Sequence, residues 1–279
     1  MPRPNDPTVD LAAYRLAVPR TCVFCGGVPL TREHVYAEWM SKHFAGLSGF
    51  TATGFIDPDD GDIPMLDPPG ADAVRVANAN VVREVGASGT MALTVRRVCE
   101  SCNTGWLSEL EAATEPLLAP MFAGLPQLLT ADTATTLATW VLKTVLISTL
   151  SFGDPLPLAP FHDLYASRLP SDQTVIWSGY RPDFKLLLHA RPLQSKASQG
   201  SGVNDGLHGM IILGHVVLGV ITKFGTQPLG PVRLPGQQLR AVWPPPPVGD
   251  AVWPPPSPMS DALLAQWIDP PYDNLPRPV

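Results

Sequence analysis

The fold is decided by two short stretches, Cys22-Val-Phe-Cys25-Gly-Gly and Cys99-Glu-Ser-Cys102-Asn, each of which has two cysteines in Cys-x-x-Cys spacing. Four thiolates complete the tetrahedral shell of a structural zinc ion and leave no position for water. Two redox dithiols are the alternative, but the glycines after Cys25 favour a tight turn around an ion over the start of a helix. The sequence therefore predicts one structural Zn²⁺ ion bound by both pairs.

A short polar motif, Thr31-Arg-Glu-His34, lies between the two cysteine pairs and is followed by aromatic residues. Thr31 is a suitable N-cap, so we expect a helix that runs from this residue to about Phe44. His34 would then lie near the first turn of that helix.

A second helix is predicted directly after Cys102, where the sequence reads Asn-Thr-Gly-Trp-Leu-Ser-Glu-Leu-Glu, and it should end by Pro116. Asn103 and Glu111 fall on one face of this helix by their spacing, so both should point inward. Glu111 also completes a Ser-x-x-Glu pattern with Ser108. A carboxylate on the helix surface is therefore an equal alternative for Glu111.

The order of these motifs resembles the zinc-bearing branch of the HNH endonuclease family, which has a treble-clef or ββα-metal fold. The resemblance covers about residues 20 to 112 and rests on Cys-x-x-Cys, Glu-His, Cys-x-x-Cys-Asn and Gly-Trp-Leu-Ser-Glu-Leu-Glu. It implies that Glu33 binds a catalytic divalent metal, Mg²⁺ or Mn²⁺, and that His34 is the general base. Asn103 takes the place of the last residue in the family's name.

The sequence departs from the family pattern at the middle asparagine, which the resemblance places a few residues before Cys99. No asparagine occurs from residue 92 to residue 98. Asn78 and Asn80 are the alternatives for that role.

The chemistry of phosphodiester hydrolysis agrees with the roles that the resemblance implies. The reaction needs an activated water, positive charge beside the phosphate and a proton for the leaving oxygen. His34 can accept a proton near neutral pH, and Glu33 can hold a hard cation. Glu111 could add a second oxygen ligand, and Arg32 or Arg97 would lie near the phosphate.

The second part of the chain predicts an α+β domain of unknown role, so we expect two domains, 1–116 and 117–279. An apolar stretch at 131–151 predicts a buried helix despite its central Lys143. Strands are predicted at 74–82, 89–97, 174–180, 184–190, 210–224 and 238–243. Trp243 and Trp253 each begin a Trp-Pro-Pro-Pro element, so residues 244–258 are predicted to form an extended proline-rich tail that packs its own tryptophans or binds a proline-reading domain.

Composition and charge limit the partners that the chain can have. The net charge is −6, and acidic residues outnumber basic ones within residues 1–110, which excludes a broad non-specific grip on duplex DNA. The first residues lack the pattern of a secretory signal, and no membrane span is expected. We therefore expect a cytoplasmic protein whose nucleic-acid target, DNA, is defined by a partner or by a special form.

Three functions fit the sequence. The first is metal-dependent hydrolysis of DNA phosphodiester bonds by an HNH-like endonuclease. The second is a catalytically inactive, zinc-stabilised module that binds nucleic acid or protein. In the third, the C-terminal domain performs the main function, for example by binding a protein partner, and the zinc module serves as its scaffold.

Overall fold

The computed structural model describes residues 20–44, 50–53, 82–85, 93–151, 156–193, 205–224, 229, 232–245 and 251–268. Together they form a mixed α and β structure, which confirms the predicted α+β class. Asn78, Asn80 and most of the strand predicted at 74–82 lie outside the described residues. The strands are β1 (Leu30–His34), β2 (Phe50–Thr53), β3 (Val82–Val85), β4 (Thr94–Cys99), β5 (Gln127–Leu129), β6 (Thr174–Leu193), β7 (Gly206–Lys223), β8 (Leu239–Trp243) and β9 (Ala251–Trp253). The helices longer than five residues are α1 (Ser108–Phe122), α2 (Ala131–Ser151), α3 (Ala159–Ser167) and α4 (Asp261–Ile268).

The segment after the first cysteine pair is a strand, so the helix predicted from Thr31 to about Phe44 is wrong. β1 pairs antiparallel with β4, which places Leu30 opposite Cys99 and His34 opposite Thr94. Only a 3-10 turn, Glu38–Lys42, is helical in this region. Long-range pairing with the strand that leads to Cys99 outweighs the local capping signal of Thr31, because strand pairing satisfies the same backbone groups.

The chain turns into helix at the second cysteine pair. A short turn at Glu100–Cys102 and a π-helical segment at Asn103–Leu107 lead into α1. The backbone leaves helical geometry at Gly105 (φ −93°, ψ −115°). α1 continues through Pro116, so the predicted end of this helix is wrong. The carbonyl that loses its partner to Pro116 belongs to Ala112, which is exposed and can bond to water.

The C-terminal half is built on a long antiparallel hairpin of β6 and β7. β6 covers both strands predicted at 174–180 and 184–190, and its pairing shifts register between Tyr180 and Lys185, where the sequence predicted a break. β8 pairs with the first half of β6, and β2, which also pairs with β3, runs parallel to the second half. β5 and β9 form a separate two-stranded sheet.

Helix α2 lies directly on the hairpin and matches the predicted helix at 131–151. A Cβ atom at Gly209 of β7 would lie 2.3 Å from Cγ1 of Val145, so the helix and the strand approach as closely as a glycine allows. Residues Ala131–Leu150 are long and apolar enough to cross a membrane, but 78% of their most apolar window is buried inside the protein. This burial fits the predicted core helix.

One hydrophobic core connects the two halves of the described chain. It includes Phe24 beside the first cysteine pair, Leu118 of α1, Trp140 of α2 and Trp253 of β9. The predicted boundary at residue 116 falls within α1. Trp253 is fully buried and donates a hydrogen bond from Nε1 to the carbonyl of Gly179 at 3.1 Å, so this part of the proline-rich tail packs on the sheet.

Candidate functional site

The four cysteines come together in one group, which we call the cysteine cluster (Cys22, Cys25, Cys99 and Cys102). Their sulfur atoms all lie within 4.8 Å of one another. Three of the cysteines are buried and Cys25 is exposed. The cluster could hold a metal ion such as zinc, as the sequence predicted.

The two glycines after Cys25 shape the loop around the sulfur atoms. Gly26 has a φ of +74°, a conformation that favours glycine. A Cβ atom at Gly27 would lie 3.2 Å from the sulfur of Cys25 and 3.6 Å from that of Cys99, so a side chain there would crowd the site. The N–H of Gly27 also donates to the sulfur of Cys25 at 3.4 Å.

The surroundings of Cys99 favour the thiolate, which is the form that binds metal. Burial alone would raise the pKa of Cys99, but hydrogen bonds from the Ser101 hydroxyl and the Cys102 backbone N–H outweigh burial and lower the pKa to about 6. Burial raises the pKa of Cys25.

Asn103 connects the helical segment to the β1 strand. Its side-chain amide donates to the carbonyl of Arg32 at 2.7 Å and to the Thr31 hydroxyl at 3.1 Å. The pairing of β1 with β4 shifts register between Thr31 and Glu33, where Arg32 of β1 lies opposite two residues of β4, Arg96 and Arg97. The carbonyl held by Asn103 therefore lies opposite a β-bulge of β4. Asn103 thus fixes the backbone directly before Glu33 and His34.

Glu33 and His34 point to opposite faces of the hairpin, as successive strand residues do. Glu33 is 3% exposed and faces the core, whereas His34 is half-buried. Among the residues that the structure describes, the His34 ring forms no hydrogen bond. The structure therefore brings Asn103 to the backbone that carries His34 and does not join the two side chains.

Glu33 and Glu111 meet around the ammonium of Lys143, and we call these three residues the carboxylate–lysine cluster. The Nζ atom of Lys143 lies 2.7 Å from Oε1 of Glu111 and 3.3 Å from Oε1 of Glu33. Lys143 is fully buried, and the Glu111 side chain is 20% exposed. The inward orientation predicted for Glu111 is thus observed, and no side-chain cap from Ser108 or its neighbours forms at the start of α1.

The charges of this cluster are strongly coupled. Burial raises the pKa of Glu33, and the nearby Lys143 opposes that rise without cancelling it. Burial would lower the pKa of Lys143, but the two carboxylates outweigh burial and raise it. Lys143 therefore stays an ammonium.

Lys143 is the site residue that sequence reasoning missed. Its position at the centre of a buried apolar helix was the available signal, because lysine is almost never fully buried unless it is paired. The two carboxylates that pair with it lie 110 and 32 residues away along the chain. Helical spacing within α2 cannot identify partners at such distances.

The carboxylate–lysine cluster does not fit the catalytic Mg²⁺ or Mn²⁺ that the resemblance implies. Carboxylate oxygens are suitable ligands for either ion. Here, however, the Lys143 ammonium already lies between the oxygens of Glu33 and Glu111. No catalytic step is therefore assigned to a metal ion at these carboxylates.

An aromatic contact joins the cysteine cluster to the C-terminal half. The ring of Trp106 lies 5.0 Å from that of Phe24. The guanidinium of Arg168 lies 4.4 Å from the Trp106 ring centroid and 4.2 Å from that of Tyr165. Arg168 follows the last turn of α3, so this contact packs the end of α3 against the segment that carries Asn103.

Comparison with known proteins adds no further constraint on the site. No protein-family model matches the chain, and neither a curated protein nor a solved structure is similar to it. What can be concluded about this protein therefore rests on its own residues and their geometry.

Proposed function

We propose that the chain hydrolyses phosphodiester bonds in DNA with an HNH-like module of the treble-clef, ββα type that a zinc ion in the cysteine cluster holds together. The observation that carries this proposal is the hydrogen bond from Asn103 to the Arg32 carbonyl. This hydrogen bond links the asparagine that follows the last cysteine to the strand that carries Glu33 and His34, and all three residues belong to the resemblance. A strand held in this way presents His34 from a fixed backbone.

His34 is the general base in this proposal. Its imidazole accepts a proton from a water molecule whose oxygen attacks phosphorus, and the bond from phosphorus to the leaving sugar oxygen breaks as that oxygen takes a proton from a second water molecule. The hydroxide left from the second water takes the proton back from His34, which restores the base. Asn103 is a positioning residue here, because its amide nitrogen bonds to the protein backbone.

Positive charge for the phosphate comes from the arginines of the hairpin. Arg32 is exposed on β1, two residues before His34, and Arg97 is half-buried on the paired strand. A local pair of arginines in an acidic chain fits a substrate that is presented by a partner or in a special form better than long duplex DNA.

A zinc-stabilised binding module without turnover is the second candidate. Two observations favour it: Lys143 offsets charge on the carboxylates that the resemblance assigns to metal, and no described residue orients the His34 ring through a hydrogen bond. Such a module would keep the cysteine cluster and the arginines and would bind nucleic acid or protein without cutting it.

The two candidates are separated by a cleavage assay on the full-length, zinc-loaded protein. Supercoiled plasmid and single-stranded DNA are incubated without added metal, with Mg²⁺ and with Mn²⁺. Under the proposal the wild type nicks DNA and His34→Ala loses at least about a hundredfold in rate, the usual scale for a general base. His162→Ala is the matched control, because His162 is also a histidine but lies exposed on α3.

Equal cleavage by wild type and His34→Ala would contradict the assigned base. No cleavage by either protein, together with DNA binding that His34→Ala retains, would identify the binding module. Loss of cleavage in His162→Ala as well would show that the effect does not arise at the hairpin.

A further inference from the structure

We infer that Lys143 is the resident cation of the Glu33–Glu111 carboxylate pair, and that this pair takes up no divalent metal ion while the lysine is in place. The inference concerns ion binding and does not depend on whether the protein cleaves DNA. It assigns a role to a residue of α2 that lies outside the region of the HNH resemblance.

The Lys143 ammonium contacts both carboxylates. The ammonium lies 2.7 Å from Glu111 Oε1, which is the distance of a strong charge-assisted hydrogen bond. The longer contact, 3.3 Å to Glu33 Oε1, lets the same ammonium reach both carboxylates. Lys143 therefore connects a residue of β1 with a residue of α1.

The ammonium is also shielded from solvent. Lys143 is fully buried. The helix that carries it cannot move closer to or slide easily along β7, since Val145 already fills the space over Gly209. A metal ion would thus have to enter beside the lysine rather than replace it.

The charge of the ammonium also repels a divalent ion at the carboxylates. A metal ion bound to Glu111 Oε1 at about 2.1 Å would lie less than about 5 Å from the Lys143 nitrogen, which is 2.7 Å from the same oxygen. Repulsion between a divalent ion and an ammonium at that separation is strong in a poorly solvated interior. Loss of the lysine proton would remove the repulsion, but both carboxylates favour the charged lysine.

The consequence for the site is that Lys143 is a positioning residue. It fixes the Glu33 carboxylate from the core side, while Asn103 holds the Arg32 carbonyl just before it. Lys143 thus holds the Glu33 side chain, and Asn103 holds the backbone next to it.

The test measures Mn²⁺ binding to the full-length, zinc-saturated protein by electron paramagnetic resonance of the free ion. Mn²⁺ is a suitable probe because it prefers oxygen ligands and competes poorly with zinc for thiolates. We expect no Mn²⁺ site at the Glu33–Glu111 pair of the wild type. Any Mn²⁺ that the wild type binds should therefore still bind to Glu33→Gln and to Glu111→Gln. Lys143→Met removes the ammonium and keeps an unbranched side chain, so it should bind Mn²⁺ at least about tenfold more tightly than wild type.

Lys143→Met combined with Glu33→Gln is the control and should lose the new site. The inference is overturned if the wild type binds Mn²⁺ at a site that Glu33→Gln or Glu111→Gln removes. It is also overturned if Lys143→Met folds and binds no more Mn²⁺ than the wild type. If Lys143→Met does not fold, Mn²⁺ binding is compared between the wild type and Glu111→Gln alone. Absence of binding in both proteins supports the inference, and binding that Glu111→Gln removes overturns it.

Discussion

The cysteine cluster and the carboxylate–lysine cluster both hold the β1–β4 hairpin to the helical segment, but they are completed in different ways. The cysteine cluster brings together four sulfur atoms that could hold a metal ion. The carboxylate–lysine cluster contains its cation, because α2 supplies Lys143. One cluster therefore offers ligands for an ion from solution, and the other is completed by the packing of the chain.

This difference predicts different responses to the same treatments. Chelation and cysteine substitution should affect the first cluster, since metal binding in small sites is coupled directly to folding. Loss of Lys143 should affect the second cluster, because it leaves two carboxylates near each other without a counter-ion. Each cluster can therefore be changed while the other serves as an internal reference.

The largest effect is expected from Cys102→Ser, which removes one of the buried ligands. The variant should contain well below one zinc per chain by metal analysis, and its free energy of unfolding should fall by several kcal/mol. Ser41→Ala is the control, because Ser41 is exposed on the 3-10 turn and bonds only to the Glu38 carbonyl among the contacts described. Full zinc content in Cys102→Ser would show that the four sulfurs do not share an ion.

Lys143→Met should cost about 3–5 kcal/mol of unfolding free energy, the usual range when one partner of a buried ion pair is removed. The exposed pair Lys42–Glu115 is a matched control, since its Nζ–Oε1 distance is also 2.7 Å but its side chains are 60% and 36% exposed. Lys42→Met should therefore change stability by less than about 1 kcal/mol. Chemical denaturation measures the change in unfolding free energy of both variants.

The loss of stability in Lys143→Met is attributed to the unpaired carboxylates, and this cause can be tested by restoring charge balance. Lys143→Met combined with Glu33→Gln and Glu111→Gln should recover most of the lost stability, because no unpaired charge remains in the core. Equal losses in Lys42→Met and Lys143→Met would contradict the role of burial.

The sequence was sufficient for the features that depend on local spacing. Cys-x-x-Cys spacing predicted the cysteine cluster, and apolar periodicity predicted α2 and the strands of the long hairpin. The HNH resemblance placed Glu33 and Asn103 in one region, but their roles as a metal ligand and a catalytic residue stay predictions.

The features that the sequence did not predict depend on the surroundings that the fold creates. The Thr31 region carries a good capping signal, yet it pairs with a strand more than sixty residues away. Pro116 is a helix breaker by propensity, but its lost hydrogen bond falls on an exposed face. Lys143 could be recognised as unusual from its apolar neighbours, whereas its partners could be found only from the packing of α2 against β1 and α1.

The stability that Lys143 provides should depend on pH in a defined direction. The pKa of Lys143 is raised in the folded protein above its ordinary value of 10.5, so its contribution is complete below that pH and is lost as pH rises through the folded value. The stability difference between wild type and Lys143→Met should therefore be constant near neutrality and shrink in alkaline solution. A difference that grows above pH 10.5 would contradict the direction of the shift.

The smallest effect is expected at Arg168, which touches neither cluster but joins their region to α3. Arg168→Ala removes its contacts with the rings of Trp106 and Tyr165 and should lower the free energy of unfolding by about 0.5–1 kcal/mol per ring. Arg168→Lys keeps the charge and the strained φ of +60° but loses the planar group, so it should fall between alanine and wild type. Zinc content and the effect of Lys143→Met should stay unchanged in both variants, since sites without shared partners act additively. A loss of zinc in Arg168→Ala would instead mean that the cysteine cluster depends on packing as well as on its ion, and the contrast between the two clusters would no longer hold.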